Sequence, residues 1–404
     1  MKNPKTRDVL AAALPSRQQF ESVRRFKVAI WLLMTTALAC GFLHHLVPPA
    51  VMNFERLHIF LFNLCSGGTL LVFFTENRRE LSVRGALFLT LALAFALCAF
   101  FGWHSAALII PLILAVLIEN VRIRHFGSRL PRALFSSTES TSRKFHQAAL
   151  LCLSLGLVTS SLAIANSEYG RWVDLEKLKL DTFFLGFSFP LSLISMSAIF
   201  TLMKDEVKFS VACLKELSFW VINLGVIIFF VFILAGWFMP QVAISIILFL
   251  AVALILYLYW KQGIRLQQKA FLTSGILFLL ITSVTGIIYI LLALSAAYDK
   301  ETWLPLLRIH AFTALYGWNL SGLAVISRHD DFPIQLHSQK VIAIHWLTVC
   351  ILCPLGYFFP AAAVLAVFCY GGLLYILFFS AGKIDQGVVR LEDRVLTGNR
   401  AERQ

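Results

Sequence analysis

The amino-acid sequence predicts an all-α, polytopic membrane protein of about twelve transmembrane helices with both termini in the cytoplasm, on three observations. The first is composition: 59% of the 404 residues are hydrophobic and 14% charged, a balance suited to solvation by lipid. The second is arrangement. The apolar residues fall in blocks of roughly 20, the length a helix needs to cross a hydrocarbon core of ~30 Å, and backbone in lipid must satisfy its own polar groups, as a helix does. The third is charge. With the N-terminus inside, 29 of the 35 Lys and Arg lie in inner segments, and six lie outside: Arg56, Arg171, Lys177, Lys179, Lys300 and Arg308. Retention of basic residues on the cytoplasmic side produces this asymmetry.

Residues 1–23 read as a basic cytoplasmic tail. No cleavable signal peptide is expected, because the first span is too long for an h-region and no small-residue cleavage site follows it. Residues 24–382 form a single membrane domain, uninterrupted by a Pro/Gly-rich linker. Its spans are placed near 26–47, 56–75, 84–102 and 104–120, then, after a basic Ser/Thr-rich inner loop at 121–145, near 146–165. The outer segment 166–180, with Glu168, Arg171, Trp172, Asp174 and Glu176, reads as a periplasmic flap before span six at 181–203. Spans follow near 216–237, 241–260, 271–296, 303–326, 340–359 and 361–381, with Pro360 alone dividing the last two, and 383–404 is a cytoplasmic tail.

The inner loops account for the net charge of +13, so no nucleic-acid partner is implied. The eight cysteines lie in or beside spans, and even the Cys350/Cys353 pair is read as packing. Ion-coupled transport is disfavoured. Intramembrane charge is costly and kept for function, whereas the acids here, Glu76, Glu119, Asp181 and Glu216, gather at span ends.

The conspicuous intramembrane polar groups are histidines. His44, His45, His58, His104 and His310 all lie on the outer side, and His345 sits apart in the inner half of span eleven. For His44, His45 and His104 the expectation is a hydrogen bond to a neighbouring helix or a place at the headgroups. His58 and His310 differ in depth by roughly 5 Å at 1.5 Å per residue. Axial haem ligands, which approach one iron from opposite faces, need similar depth.

The segment from Arg56-Leu57-His58 to Cys65-Ser66-Gly67-Gly68 resembles helix two of the haem-copper oxidase catalytic subunit, above all its C-type branch, where a Leu-His pair precedes Gly-Gly by nine and ten residues. His310, followed by Gly317-Trp318, is similar to that subunit's helix ten, His-x-His, four residues, Gly-Trp. The resemblance implies the family's twelve-helix bundle, a haem of suspected b type toward the outer side, His58 and His310 as iron ligands, and a cofactor environment that includes Gly67, Gly68, Gly317 and Trp318. Arg56 and Arg308 would pair with haem propionates.

The departures are as informative. In the family two histidines two residues apart project about 200° apart and serve two haems; here the second is Phe312. The family's copper ion takes one His from helix six and a His pair after helix seven. Span six has none, and span seven ends Ala235-Gly236-Trp237-Phe238-Met239-Pro240 where the C-type pattern gives Ala-Gly-Pro-His-His. No copper and no active terminal oxidase are therefore expected. Two arrangements stay open: His58 and His310 on one haem, suited to electron transfer, or His310 alone on a five-coordinate haem, suited to a small gas such as O2 or NO. The compatible partners are the lipid bilayer of the cell inner membrane and a cytochrome or quinol electron partner or an accessory subunit. The alternative is a cofactor-free transporter or assembly partner on the same scaffold.

Overall fold

The computed structural model describes residues 17–49, 51–77, 80–173, 184–204, 208–264, 268–294, 299, 301–328 and 338–380. Most of the two tails, together with Asp174, Glu176, Lys177, Lys179, Asp181 and Lys300, lies outside them. The described residues are α-helical and π-helical with short 3-10 turns, and no strand occurs beyond an isolated Met203–Gly263 bridge.

Twelve helical segments follow the predicted blocks. They are α1 (Arg24–His45), α2 (Phe54–Glu76), α3 (Val83–Phe100), α4 (His104–Phe126), α5 (Thr141–Gly170), α6 (Gly186–Thr201), α7 (Phe209–Ala235), α8 (Phe238–Gln262), α9 (Gln268–Ala293), α10 (Leu304–Ile326), α11 (Gln339–Phe358) and α12 (Pro360–Phe379). Eleven are long and apolar enough to cross a membrane, and α6, in the place of span six, is shorter. The ends follow from local chemistry. Asn53 and Ser82 cap α2 and α3 by accepting from the backbone N–H of Arg56 (3.0 Å) and Gly85 (2.9 Å). Gly127 and Gly236, at φ 72° and 70°, end α4 and α7 in the left-handed region.

Burial separates core helices from lipid-facing ones. In α2 and α10 the most apolar stretch is 83% and 78% buried, against 28%, 28% and 22% for α7, α8 and α9. Every residue of α6 from Phe189 to Phe200 except Ser192 is also buried. The two helices that carry the histidine motifs are thus packed with α6 at the centre of the bundle.

Small residues let the backbones close, as in other membrane bundles. Gly156 of α5 stands directly on Gly186 of α6, and a Cβ there would lie 2.7 Å from the Gly186 oxygen. Gly322 of α10 meets Ser195 of α6 as tightly, 2.8 Å from its Cα. Three acids are pinned by cations: Glu76 to Arg84 (2.6 Å), Glu119 to Arg122 (2.6 Å) and Glu216 to Lys144 (2.6 Å). Sequence reading placed these acids at span ends; Glu76 does end α2, whereas Glu119 and Glu216 stand two turns inside α4 and α7, because those helices run on through polar residues.

Candidate functional site around His58 and His310

Each motif histidine lies just before a π-wound segment, Phe60–Gly68 in α2 and Thr313–Asn319 in α10. Such i→i+5 winding is rare and concentrates at functional sites. Three further π segments occur among the described residues, Ala165–Gly170, Phe184–Ser188 and Thr348–Leu352, so the winding is not peculiar to the two motifs; that of α11 contacts that of α10.

The two rings turn to different neighbours. His58 rests against Gly41 of α1, where a Cβ would lie 3.5 Å from its Nδ1, and lies nearly parallel to Tyr316, 25° apart with centroids at 6.4 Å. Its Nδ1 is buried without a hydrogen-bond partner. His310 instead donates from Nδ1 to the Thr282 carbonyl of α9 at 2.9 Å, and a Cβ on Gly286 would come within 3.1 Å of its Cε1. Phe312 faces α1, its ring 6.0 Å from Phe42 and 5.9 Å from Tyr316. The angular separation expected between positions 310 and 312 is therefore present, with the Phe312 ring packed on α1 rather than on α9.

The other proposed cofactor residues are engaged by protein. Gly67 and Gly68 seat Leu191 of α6 and Phe88 of α3, with Cβ positions 2.5 and 2.9 Å from those side chains, and Gly317 seats Phe278 of α9 at 2.6 Å. Trp318 is buried and donates from Nε1 to Ser192 Oγ at 2.9 Å. Arg308 pairs with Glu55 at 2.7 Å, donates to the Tyr357 hydroxyl and lies 3.6 Å over that ring. Arg56 is exposed at the same end of the bundle.

His44 and His45 donate from Nε2 to the carbonyls of Tyr357 and Gly356, each at 2.8 Å, so both tie α1 to α11 as expected of helix-bonding histidines. His104 is half-exposed beside Glu168 at 3.6 Å. His345 donates from Nε2 to the Tyr316 carbonyl at 2.8 Å and so touches the same helix as His310, further along it. Sequence reading missed Tyr316 and Tyr370, whose rings meet edge-on at 5.2 Å and whose buried hydroxyls have no partner. The available signal was a tyrosine in an apolar span, whose hydroxyl needs a partner when buried.

The chemistry of the imidazoles suits an iron ligand, whereas the glycine seats and Arg308 are occupied by protein side chains. A carbonyl only accepts, so the proton of neutral His310 sits on Nδ1 and Nε2 keeps the lone pair, the arrangement usual for a ligating imidazole. The orphaned Nδ1 of His58 is a second buried donor or acceptor. Neither expected propionate partner is poised beside His310: Arg308 is taken by Glu55 and Tyr357, and Arg56 lines a space bounded by α2, α3, α4 and α5. Among the described residues no group of three or more His, Cys, Asp or Glu side chains is arranged to hold a metal ion. The chain matches no protein-family model, no curated protein and no solved structure.

Proposed function

We propose that the chain is a haem-binding protein of the cell inner membrane, related to the oxidase catalytic subunit but without its copper site, that binds a small gas or transfers electrons. The observation that carries this reading is the hydrogen bond from His310 Nδ1 to the Thr282 carbonyl, which fixes the ligating tautomer. It favours His310 alone as the axial ligand, because His58 turns to α1 while His310 turns to α9. When bound, the haem would supply a one-electron couple and the capacity to bind a small gas. The chain's own part is to hold the proton of His310 on Nδ1 through the Thr282 carbonyl, so that Nε2 keeps its lone pair for iron.

A cofactor-free membrane scaffold is the second reading. The observation in its favour is that Leu191, Phe88 and Phe278 fill the glycine seats and Glu55 and Tyr357 take Arg308.

A reduced-minus-oxidised visible spectrum of the purified protein, with pyridine haemochrome quantification and carbon monoxide addition, tests the proposal. A haem band that shifts with carbon monoxide is expected. A sharp band insensitive to it would replace the gas-binding arrangement by a six-coordinate electron-transfer centre. Protein without haem, from cells that supply it in excess, would leave the scaffold reading.

A further inference from the structure

Four helix ends meet at the predicted outer end of the bundle: the starts of α2 and α4 and the ends of α3 and α5. Between them lies a cavity of about 170 Å³, which neither His58 nor His310 lines. Its walls are the rings of Phe60, Phe95 and Phe100, and Ala96, Ala99 and Ala107 leave the space between them open. The rim is polar. Arg56 stands among its lining residues, as do His104 and Glu168, whose Nε2 and Oε2 are 3.6 Å apart, and Ser167 donates to Glu168 Oε1 at 2.9 Å.

The geometry points to a binding site for the single ring of a membrane quinone or quinol. Size narrows the ligand first. A dry protein cavity of ~150 Å³ holds a benzene, so this one takes one substituted ring and neither a porphyrin nor a pair of acyl chains. Shape comes second, since aromatic walls suit a planar ring by offset or edge-on packing. Polarity comes third. Arg56 donates to a ring carbonyl, while His104 and Glu168 accept from a ring hydroxyl. The Glu168 carboxylate also repels an anionic headgroup from the same rim. Few other membrane-borne molecules combine one flat apolar ring with two oxygens that accept in one redox state and donate in the other. The site stands without the haem reading, and it gives that reading the electron partner it calls for.

The test is a titration of the full-length protein in detergent with a short-chain ubiquinone, read by quenching of tryptophan fluorescence, to which Trp103 beside the rim contributes. Saturable binding is expected at one ring per chain. His104→Ala, a half-exposed change, should weaken it about tenfold by removing one hydrogen bond, with haem content unchanged. Ala99→Phe should abolish it by filling the cavity. Linear, non-saturating quenching, as partition into the micelle gives, would overturn the assignment, as would saturable binding that both variants leave within twofold of wild type. Should Ala99→Phe fail to fold, His104→Ala decides alone: a change under twofold refutes the site. Loss of the haem band with binding intact would refute the haem reading only.

Discussion

Glu216→Gln should cost more stability than Lys144→Met, although both break the same ion pair. Lys144 is 1% exposed and its Nζ lies 2.6 Å from Glu216 Oε1, while Glu216 is 36% exposed and also accepts from Trp220 Nε1 at 2.9 Å. Removing the carboxylate strands an ammonium inside α5, and breaking a buried pair on one side costs about 3–5 kcal/mol. Glu216 is partly wet, which places the expected loss near the lower figure, about 3 kcal/mol, or roughly 150-fold in the folded-to-unfolded ratio. Removing the lysine leaves a carboxylate that still reaches water and the Trp220 indole, for about 1 kcal/mol. The double variant should fall near the milder single one, since replacing both charges is close to neutral. Reversible unfolding in mixed micelles with increasing SDS, followed by tryptophan fluorescence, measures all three. A Lys144→Met loss equal to or larger than that of Glu216→Gln would refute the assignment of Glu216 as the wet partner of a structural tie.

The remaining predictions concern the imidazoles and the closest helix crossing. His310→Ala should remove the haem band, and His58→Ala should shift or weaken it, whereas His345→Ala, whose ring is bonded to a backbone carbonyl, should leave it intact. Visible spectra normalised to protein by pyridine haemochrome check all three. Gly156→Ala places a methyl 2.7 Å from the Gly186 oxygen, backbone that cannot rotate away. It should lower stability by about 1–3 kcal/mol, the range for overpacking a tight contact, read in the same unfolding assay.

Much of the fold was legible because one physical requirement dominates the sequence. Apolar blocks of bilayer length fixed every helix to within a few residues, except where polar side chains extend one. α5 begins at Thr141 rather than near 146 because Ser140 caps it and Lys144 and Gln147 are buried against other helices, which hydropathy cannot register. α7 begins at Phe209, before the predicted 216, for a related reason: its first turns lie ahead of Glu216, the residue tied to Lys144. The site was legible in part. Spacing alone set positions 310 and 312 on different sides of α10, and the structure keeps them there. Which neighbour each ring meets was not legible, because π winding after His58 and His310 shifts the phase of everything that follows. The glycines show the same limit, since a membrane-helix Gly admits either a cofactor or a side chain and only the facing residue decides.

The distribution of unsatisfied polar atoms gives the haem and scaffold readings a common frame. In a lipid-solvated bundle a buried polar group without a partner costs free energy that packing must offset. The contact between α6 and α10 leaves no such debt at its polar residues: Ser192 donates to Asn319, Trp318 donates to Ser192, and Asn319 donates to Ser188. Toward α1, α2, α11 and α12, His58 Nδ1, the hydroxyls of Tyr316 and Tyr370, and Thr348 Oγ1 have no partner, as is also true of Gln147 in α5, Tyr259 in α8 and Gln268 in α9. The first three are set apart by sharing one cluster around Tyr316, and Thr348 belongs to the α11 segment that contacts that of α10. A bundle kept only as a scaffold has no reason to place histidine and tyrosine there when phenylalanine would fill the same space without the cost. The polar atoms are therefore expected to meet something other than this chain, and the α1-facing side of α10 is where a second ligand or bound water would be sought once the state of His310 is known.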